Sequence, residues 1–97
     1  MLILSTLARG RELHGFEIAE AIERTTAEIL RVEEGSLYPA LQRLLVQGFV
    51  KGEWGRTAEN RRARYYTLTA AGKRQLEAEV ASYRRVAGAI ALILKPA

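Results

Sequence analysis

The densest group of charged side chains in the chain is basic and has the chemistry of a polyanion-binding site. Residues 51–74 contain seven lysine and arginine residues against two glutamates, whereas residues 1–50 contain five basic and seven acidic residues. Arg61, Arg62 and Arg64 lie closest together in this block. Guanidinium groups form paired hydrogen bonds with phosphate oxygens, so the block favours a nucleic-acid partner. The alternative is a loop whose charge only keeps the protein soluble.

A second set of polar side chains lies in the segment "GSLYPALQRLLVQG", residues 35–48. Four leucines recur there at helical spacing and are predicted to be buried: Leu37, Leu41, Leu44 and Leu45. The opposite side of the same helix carries Ser36, Pro39, Gln42 and Arg43, with Tyr38 at its border. Glutamine can pair with adenine and arginine with guanine, so this face could contact base edges. The alternative is that it only faces water.

The residue inventory argues against catalysis. The chain contains one histidine, His14, and neither cysteine nor aspartate, so no Ser-His-Asp or Cys-His arrangement can form within it. No set of residues has the spacing of metal ligands, and no glycine-rich loop could hold a phosphate. We therefore predict a protein that is not an enzyme and has no cofactor.

Two helices are predicted before the segment that contains the leucines. The first covers about residues 1–8 and stops at Gly10. The second runs from about residue 14 to residue 25, and its buried face is predicted to contain Leu13, Phe16, Ala19 and Ile22. The connection that follows has three apolar residues that we expect to enter the core: Ile29, Leu30 and Val32.

The third helix is predicted to begin between Glu34 and Ser36, with the Ser36 side chain as its N-cap. This start puts Pro39 in the first turn, where the missing N–H has no partner to lose. Gly48 is predicted to end the helix.

A hairpin and a long helix complete the chain. Residues 49–54 and 63–68 are predicted as strands joined by a longish polar loop. We expect Trp54 and at least one of Tyr65 and Tyr66 to pack beneath the hairpin rather than form a stacking surface for RNA. Thr69 is predicted to cap a helix that continues to about Leu94.

This order of elements predicts a winged helix-turn-helix: a mainly α fold with a small β-hairpin and a long C-terminal helix. Its third helix would enter the DNA major groove, and its hairpin would be the wing. Residues 1–68 would form the DNA-binding unit, with the wing at about 49–68, and residues 69–97 the dimerisation helix. That helix carries apolar residues at alternating steps of four and three, the pattern of a coiled-coil dimer interface: Leu76, Val80, Tyr83, Ala87, Ile90 and Leu94. Packing of this stripe against its own domain is the alternative.

Four segments in this order and spacing resemble the PadR family of transcriptional regulators: "LHGFEIAEAIE", "VEEGSLYPALQRLLVQGFV", "EWG" and "NRRARYYTLTAAGKRQL". The resemblance covers about residues 2–80 and is closest to the short subfamily with one C-terminal helix. It implies a homodimeric repressor bound to a palindromic operator. It also implies that Ser36, Tyr38 and Pro39 lie in the recognition-helix motif, with Tyr38 contacting phosphate. Arg61, Arg62 and Arg64 lie in the wing of the family.

We therefore predict a DNA-binding transcriptional regulator that acts as a homodimer on a double-stranded operator. The resemblance further implies release of the DNA when a small aromatic effector binds near the dimer interface. The chain has no segment with the length and hydropathy of a membrane span, so a cytoplasmic location is expected. The alternative from another class is a winged-helix module that binds a protein or an RNA.

Overall fold

Four helices and a three-stranded antiparallel sheet make up the part of the chain that the computed structural model describes, residues 1–10 and 12–96. The predicted C-terminal unit ended at Ala97, which lies outside the described residues. The elements, in chain order, are α1 (Leu2–Leu7), β1 (Leu13–His14), α2 (Gly15–Thr25), α3 (Glu34–Val46), β2 (Val50–Arg56), β3 (Arg62–Leu68) and α4 (Ala70–Leu94).

The core lies where α1, α2 and α3 meet one end of the sheet. Leu4, Leu7, Ile18 and Leu41 are its most completely buried large side chains. The prediction that Phe16 belongs to this core is wrong, because its side chain is 63% exposed. Residues two apart on a helix lie on nearly opposite sides, so the face that buries Ile18 and Ile22 turns Phe16 outward.

The connection between α2 and α3 is closed by polar contacts rather than by burial. Ile29 is 84% exposed and Leu30 39% exposed, so the expectation that both enter the core is wrong, whereas Val32 packs against it. The carboxylate of Glu23 accepts a hydrogen bond from the Val32 N–H at 2.9 Å. The Thr26 hydroxyl accepts one from the Leu30 N–H at 3.1 Å. These contacts satisfy backbone hydrogen bonds of the connection, while Ile29 lies in water and Leu30 is partly exposed.

The third helix begins at Glu34, within the predicted range of Glu34 to Ser36, but its cap is not the predicted one. Its first residue is Glu34 and its N-cap is Glu33, whose carbonyl accepts hydrogen bonds from the Ser36 and Leu37 N–H groups at 3.0 Å each. Ser36 is therefore already helical and is not the cap. Pro39 consequently lies in the second turn, where the Gly35 carbonyl lacks its usual N–H donor but is in an exposed part of the helix. The predicted end is confirmed, since Gly48 follows the helix with a φ of 77°.

The hairpin of β2 and β3 is longer, and its loop shorter, than predicted. The two strands pair from Val50 with Leu68 out to Arg56 with Arg62. β1 pairs with the other edge of β3, which gives the order β1-β3-β2. The sequence did not predict β1, because a strand of two residues is too short to show alternation.

The last helix begins as predicted and then leaves the domain. The Thr69 hydroxyl accepts a hydrogen bond from the Gly72 N–H at 3.0 Å and donates one to the Gly48 carbonyl at 2.7 Å. The first half of the helix packs against α1, with Leu76 against the core. Its 25 residues span roughly 37 Å. The second half therefore extends beyond the domain and contributes to a molecule 58 Å long and 28 Å wide.

Candidate nucleic-acid interface

The outer face of α3 is exposed along its whole length. Ser36, Pro39, Gln42 and Arg43 are all exposed, as their positions opposite the leucines predicted. Val46 lies on the same face and is 79% exposed, which the sequence did not single out. Gln42 and Arg43 bring an amide and a guanidinium to this surface. The face thus combines two groups that can pair with base edges and one methyl-bearing side chain.

Tyr38 lies at the edge of this face and is held by α2. Its ring rests on Gly15, the first residue of α2, so closely that a Cβ at Gly15 would lie 2.9 Å from the ring carbon Cε1. The side chain remains 50% exposed. Gly15 therefore makes room for the aromatic ring, since a Cβ there would also lie 3.1 Å from the Tyr38 hydroxyl.

One face of the hairpin changes character along its length. At its inner end Val50 and Tyr66 are buried, with 2% and 6% of their surfaces exposed. Further out, the same face carries Trp54 paired with Arg64, and then Arg56 paired with Arg62. Tyr66 therefore packs beneath the hairpin as predicted. The prediction for Trp54 is wrong, since its side chain is 61% exposed and lies beyond the reach of the helical core.

The wing, defined as residues 50–68, encloses an open groove of about 530 Å³ with the start of α2 and with Tyr38 of α3. The groove brings together Tyr38 and the three predicted wing arginines, Arg61, Arg62 and Arg64. Ser36, Pro39, Gln42 and Arg43 do not line it and lie on the adjoining helix face. Phe16 also borders the groove, although its apolar character had suggested the core. No feature of the sequence separates these two roles for a phenylalanine beside a helix start.

The three arginines that line the groove favour an anionic occupant, and Arg56 adds charge beside it. Arg56 and Arg62 face each other directly across the two strands, and like charges in this position destabilise a hairpin. A bound anion would relieve that repulsion. Burial raises the pKa of Tyr66 above its ordinary value, while the nearby Arg64 charge opposes the shift and Tyr38 adds to it. The Tyr66 hydroxyl therefore stays protonated and can donate a hydrogen bond at neutral pH.

The described residues offer no metal site, since they contain no group of three histidine, cysteine or acidic side chains that could hold an ion. His14 has a structural role at the start of α2. Its ring Nδ1 accepts a hydrogen bond from the backbone N–H of Glu17 at 3.4 Å. The Glu17 carboxylate accepts one from the backbone N–H of His14 at 3.1 Å. None of the helices in residues 1–10 and 12–96 is long and apolar enough to cross a membrane.

The predicted dimer stripe divides into two parts. Leu76 and Val80 are half-buried against their own domain, and Ala87 is also partly covered. The other three are exposed in the single chain: Tyr83 by 58%, Ile90 by 52% and Leu94 by 76%. Two further exposed apolar residues, Val86 and Ile93, border this stripe and were not predicted. The outer half of α4 thus presents an apolar face that its own domain leaves uncovered.

Comparison with known proteins relates this chain to transcriptional regulators. Residues 3–78 match the model of the "Transcriptional regulator PadR-like family". A transcriptional regulator from Clostridium thermocellum has a similar structure, with a TM-score of 0.87, 28% identity and coverage of 97% of this chain and 90% of that one. The structure of Bacillus subtilis PadR in complex with operator DNA is also similar. Its TM-score is 0.71 at 26% identity, and the match covers 81% of this chain and 44% of that one.

A curated relative is closer in sequence and much longer. An uncharacterized 37.1 kDa protein in a transposon of Streptomyces fradiae is 40% identical over 90 residues, which is 93% of this chain. The chain spans 24% of the length of that relative. The matched family region includes α3 and the wing, which carry the candidate interface.

Proposed function

The chain belongs to the PadR-like family of transcriptional regulators, and we propose that it is a repressor that binds a palindromic operator as a homodimer. Its fold is the winged helix-turn-helix of that family, as the order of elements predicted. It is a DNA-binding regulator and not an enzyme. The finer proposal depends above all on one observation: the exposed face of α3 adjoins a groove that gathers three arginines.

In this proposal α3 enters the major groove and supplies the base contacts. Gln42 and Arg43 are exposed and carry the groups that pair with adenine and guanine. They lie about one helical turn beyond Pro39 and about two turns beyond Ser36. Ser36 and Pro39 lie closer to the helix start and face the same side. Short side chains there would let the helix approach the bases closely.

The wing binds the sugar–phosphate backbone of the DNA beside the major groove. Arg61, Arg62 and Arg64 provide positive charge on a projecting hairpin, which is what sequence-independent phosphate contact requires. Tyr38 shares their groove and has a half-exposed ring, so its hydroxyl is our candidate for a further phosphate contact. The wing would thereby fix the register in which α3 meets the bases.

Two copies pair through α4. The exposed Tyr83, Ile90 and Leu94 form an apolar face that a partner helix would cover, and Leu76, Val80 and Ala87 continue it toward the domain. A two-fold axis there would present two α3 helices about 34 Å apart, one turn of DNA. We accordingly assign DNA binding to residues 1–68 and dimerisation to residues 69–97.

The same interface is where we place control by a small aromatic effector. Tyr83 is an exposed aromatic side chain on the predicted interface, and an aromatic compound between two α4 helices would change the spacing of the α3 helices. Repression then ends when that spacing no longer fits the operator. A regulator of this kind acts in the compartment that holds the DNA, here the cytoplasm.

Selection of bound duplexes from a random library with the purified protein tests the proposal. We expect recovery of an inverted repeat whose half-sites are centred about one helical turn apart. Titration of that duplex should show binding by a dimer, with affinity that falls steeply as salt rises. Recovery of non-repeated sequences, or binding of one chain per duplex with full affinity, would contradict the homodimeric palindrome.

A further inference from the structure

The tryptophan of the wing is exposed, yet its ring is covered by charge rather than by apolar side chains. Trp54 is the one tryptophan of the chain. The guanidinium carbon of Arg62 lies 4.3 Å from the centre of its ring, and that of Arg64 lies 5.9 Å from it. We propose that Trp54 is a positioning residue that holds these two arginines in the orientation in which they bind phosphate. This inference rests on the proposed DNA contact of the wing.

The register of the hairpin explains why both arginines reach the same ring. Trp54 pairs directly with Arg64, and Arg62 belongs to the next pair outward on the same face. Arg64 also crosses Gly52, where a Cβ would lie 2.5 Å from its Nε atom. A side chain at Gly52 would therefore displace Arg64. The backbone on one side and the indole on the other confine the arginine between them.

An arginine held near the indole ring can still bind an anion. A guanidinium stacks on an aromatic ring through its flat face and hydrogen-bonds to phosphate through its N–H edge. The two contacts therefore do not compete. The Nε of Arg64 is enclosed and has no hydrogen-bond partner among the described residues, so the indole and Gly52, rather than a fixed hydrogen bond at that atom, define its position.

If Trp54 preorganises the two arginines, its removal should lower the affinity for DNA without removing any positive charge. An arginine that is free in solution must be immobilised when it binds DNA, and ordering a flexible side chain weakens binding. Trp54→Ala should therefore weaken binding to any duplex by about three- to tenfold. The salt slope should stay within about half a unit of the parent, because both cations remain. Trp54→Phe should recover part of the affinity.

The mechanism can be separated from direct contact between Trp54 and the DNA by a coupling experiment. In a background that carries Arg62→Ala and Arg64→Ala, the further change Trp54→Ala should alter affinity less than about twofold, because no arginine is left to position. A loss as large as in the parent background would overturn the proposal and assign the indole to the DNA itself. The proposal would also be overturned if Trp54→Ala lowered the slope of log affinity against log salt by about one unit per arginine.

A measurement on the free protein keeps the test independent of the proposed function. Since Trp54 is the only tryptophan, its fluorescence reports this ring alone. Arg62→Ala should increase quenching by acrylamide, because it uncovers one face of the indole, whereas Arg61→Ala should leave the quenching unchanged. Equal quenching in parent and Arg62→Ala would overturn the stacking. If the quenching changes as expected but no duplex binds, the proposed DNA contact fails while the stacked pair stands.

Discussion

Two exposed helix surfaces of opposite chemistry distinguish α3 from the outer half of α4. On α3 the exposed residues are mainly polar, as with Gln42 and Arg43, and a basic wing lies beside them. On α4 they are apolar, with Tyr83 and Ile90 more than half exposed. Apolar surface gains about 25 cal/mol for each Å² that is removed from water, whereas polar and basic surface is well solvated. For two equally exposed faces we therefore propose different partners: a second protein chain for α4 and a polyanion for α3.

The largest effect should follow from charging the apolar face. Tyr83→Glu combined with Ile90→Glu would bring four carboxylates together at the two-fold axis, so we expect monomers. A monomer cannot bind both half-sites at once, so binding to the full operator should weaken by at least about 100-fold, the scale of bivalent enhancement. Both residues are exposed in the single chain, so each domain should still fold. Light scattering measures the mass, and duplex titration the affinity.

A matched pair on the other side of α4 controls for added charge. Ala81 and Leu92 are exposed and lie opposite the apolar face, so Ala81→Glu with Leu92→Glu should leave a dimer that binds the operator. A variant at Tyr83 and Ile90 that is monomeric, folded and as tight on the full operator as the parent would refute dimer-dependent binding. A variant that stays dimeric would place the interface elsewhere.

The same two regions show how far helical periodicity carries a prediction. The spacing of the leucines in α3 identified the buried and exposed sides correctly, because this helix has one core and one outer face. In α4 it identified a single stripe, but Leu76 packs against its own domain whereas Leu94 is exposed. Periodicity shows which side of a helix is apolar. It does not show where the domain ends beneath it.

Errors in the prediction concentrate where the chain leaves regular core packing. Phe16 was assigned to the core from helical spacing and Trp54 from strand alternation, but both border the groove beside the wing. Phe16 lies on the side of α2 opposite the buried Ile18, and Trp54 lies too far out along the hairpin to reach the helical core. Ser36 was predicted as the cap because its side chain suits that role. The cap is instead Glu33, about one turn earlier, whose carbonyl accepts the first hydrogen bonds of the helix. Tyr66, at the inner end of the wing, was predicted correctly.

The second prediction sharpens the contrast by altering α3 without altering the dimer. Gln42→Ala or Arg43→Ala should each weaken the best operator by about 1–3 kcal/mol and relax the preference at particular base pairs. The mass in solution should remain that of the parent. Titration against duplexes with single base-pair changes measures the preference. Equal weakening on every sequence would show that these side chains contact phosphate.

The third prediction concerns the wing, whose contribution should not depend on sequence. Arg61→Ala or Arg62→Ala should weaken specific and random duplexes alike, since both residues are assigned to phosphate. The slope of log affinity against log salt should fall by about one unit for each lost contact. Lys95→Ala, on the far end of α4, is the control for loss of one positive charge. Unchanged slopes in both wing variants would mean that the wing does not touch the duplex.

A smaller effect is expected when the support of Tyr38 is changed. Gly15→Ala would place a methyl group 2.9 Å from the tyrosine ring, so the ring has to shift. We expect a loss of about two- to fivefold on all duplexes, because the shift weakens one hydrogen bond to phosphate without removing it. Gly88→Ala is the control, because nothing lies within 4 Å of its added methyl group. If Tyr38→Phe binds as tightly as the parent, its hydroxyl does not contact the DNA.

The smallest effect lies at Tyr66, where the apolar and basic parts of the wing meet. Burial raises the pKa of Tyr66 in the folded protein, so the native state holds this proton more tightly than the unfolded chain, in which the pKa is about 10. The stabilisation is complete below pH 10 and is lost as the pH rises from that value through the folded pKa. Unfolding in urea, measured at several pH values above 9, should show this loss.

Tyr66→Phe separates this titration from those of the other tyrosines and the lysines. The variant should lose the part of the alkaline decline that belongs to Tyr66 and keep the remainder. Arg64→Ala should raise the pKa of Tyr66 further, because Arg64 is the charge that favours the phenolate. A spectrophotometric titration of the phenol groups in the two variants measures both shifts. If Arg64→Ala instead lowers the pKa of Tyr66, the guanidinium does not lie near the hydroxyl. The boundary between the apolar and basic parts of the wing is then more accessible to water than the burial of Tyr66 indicates.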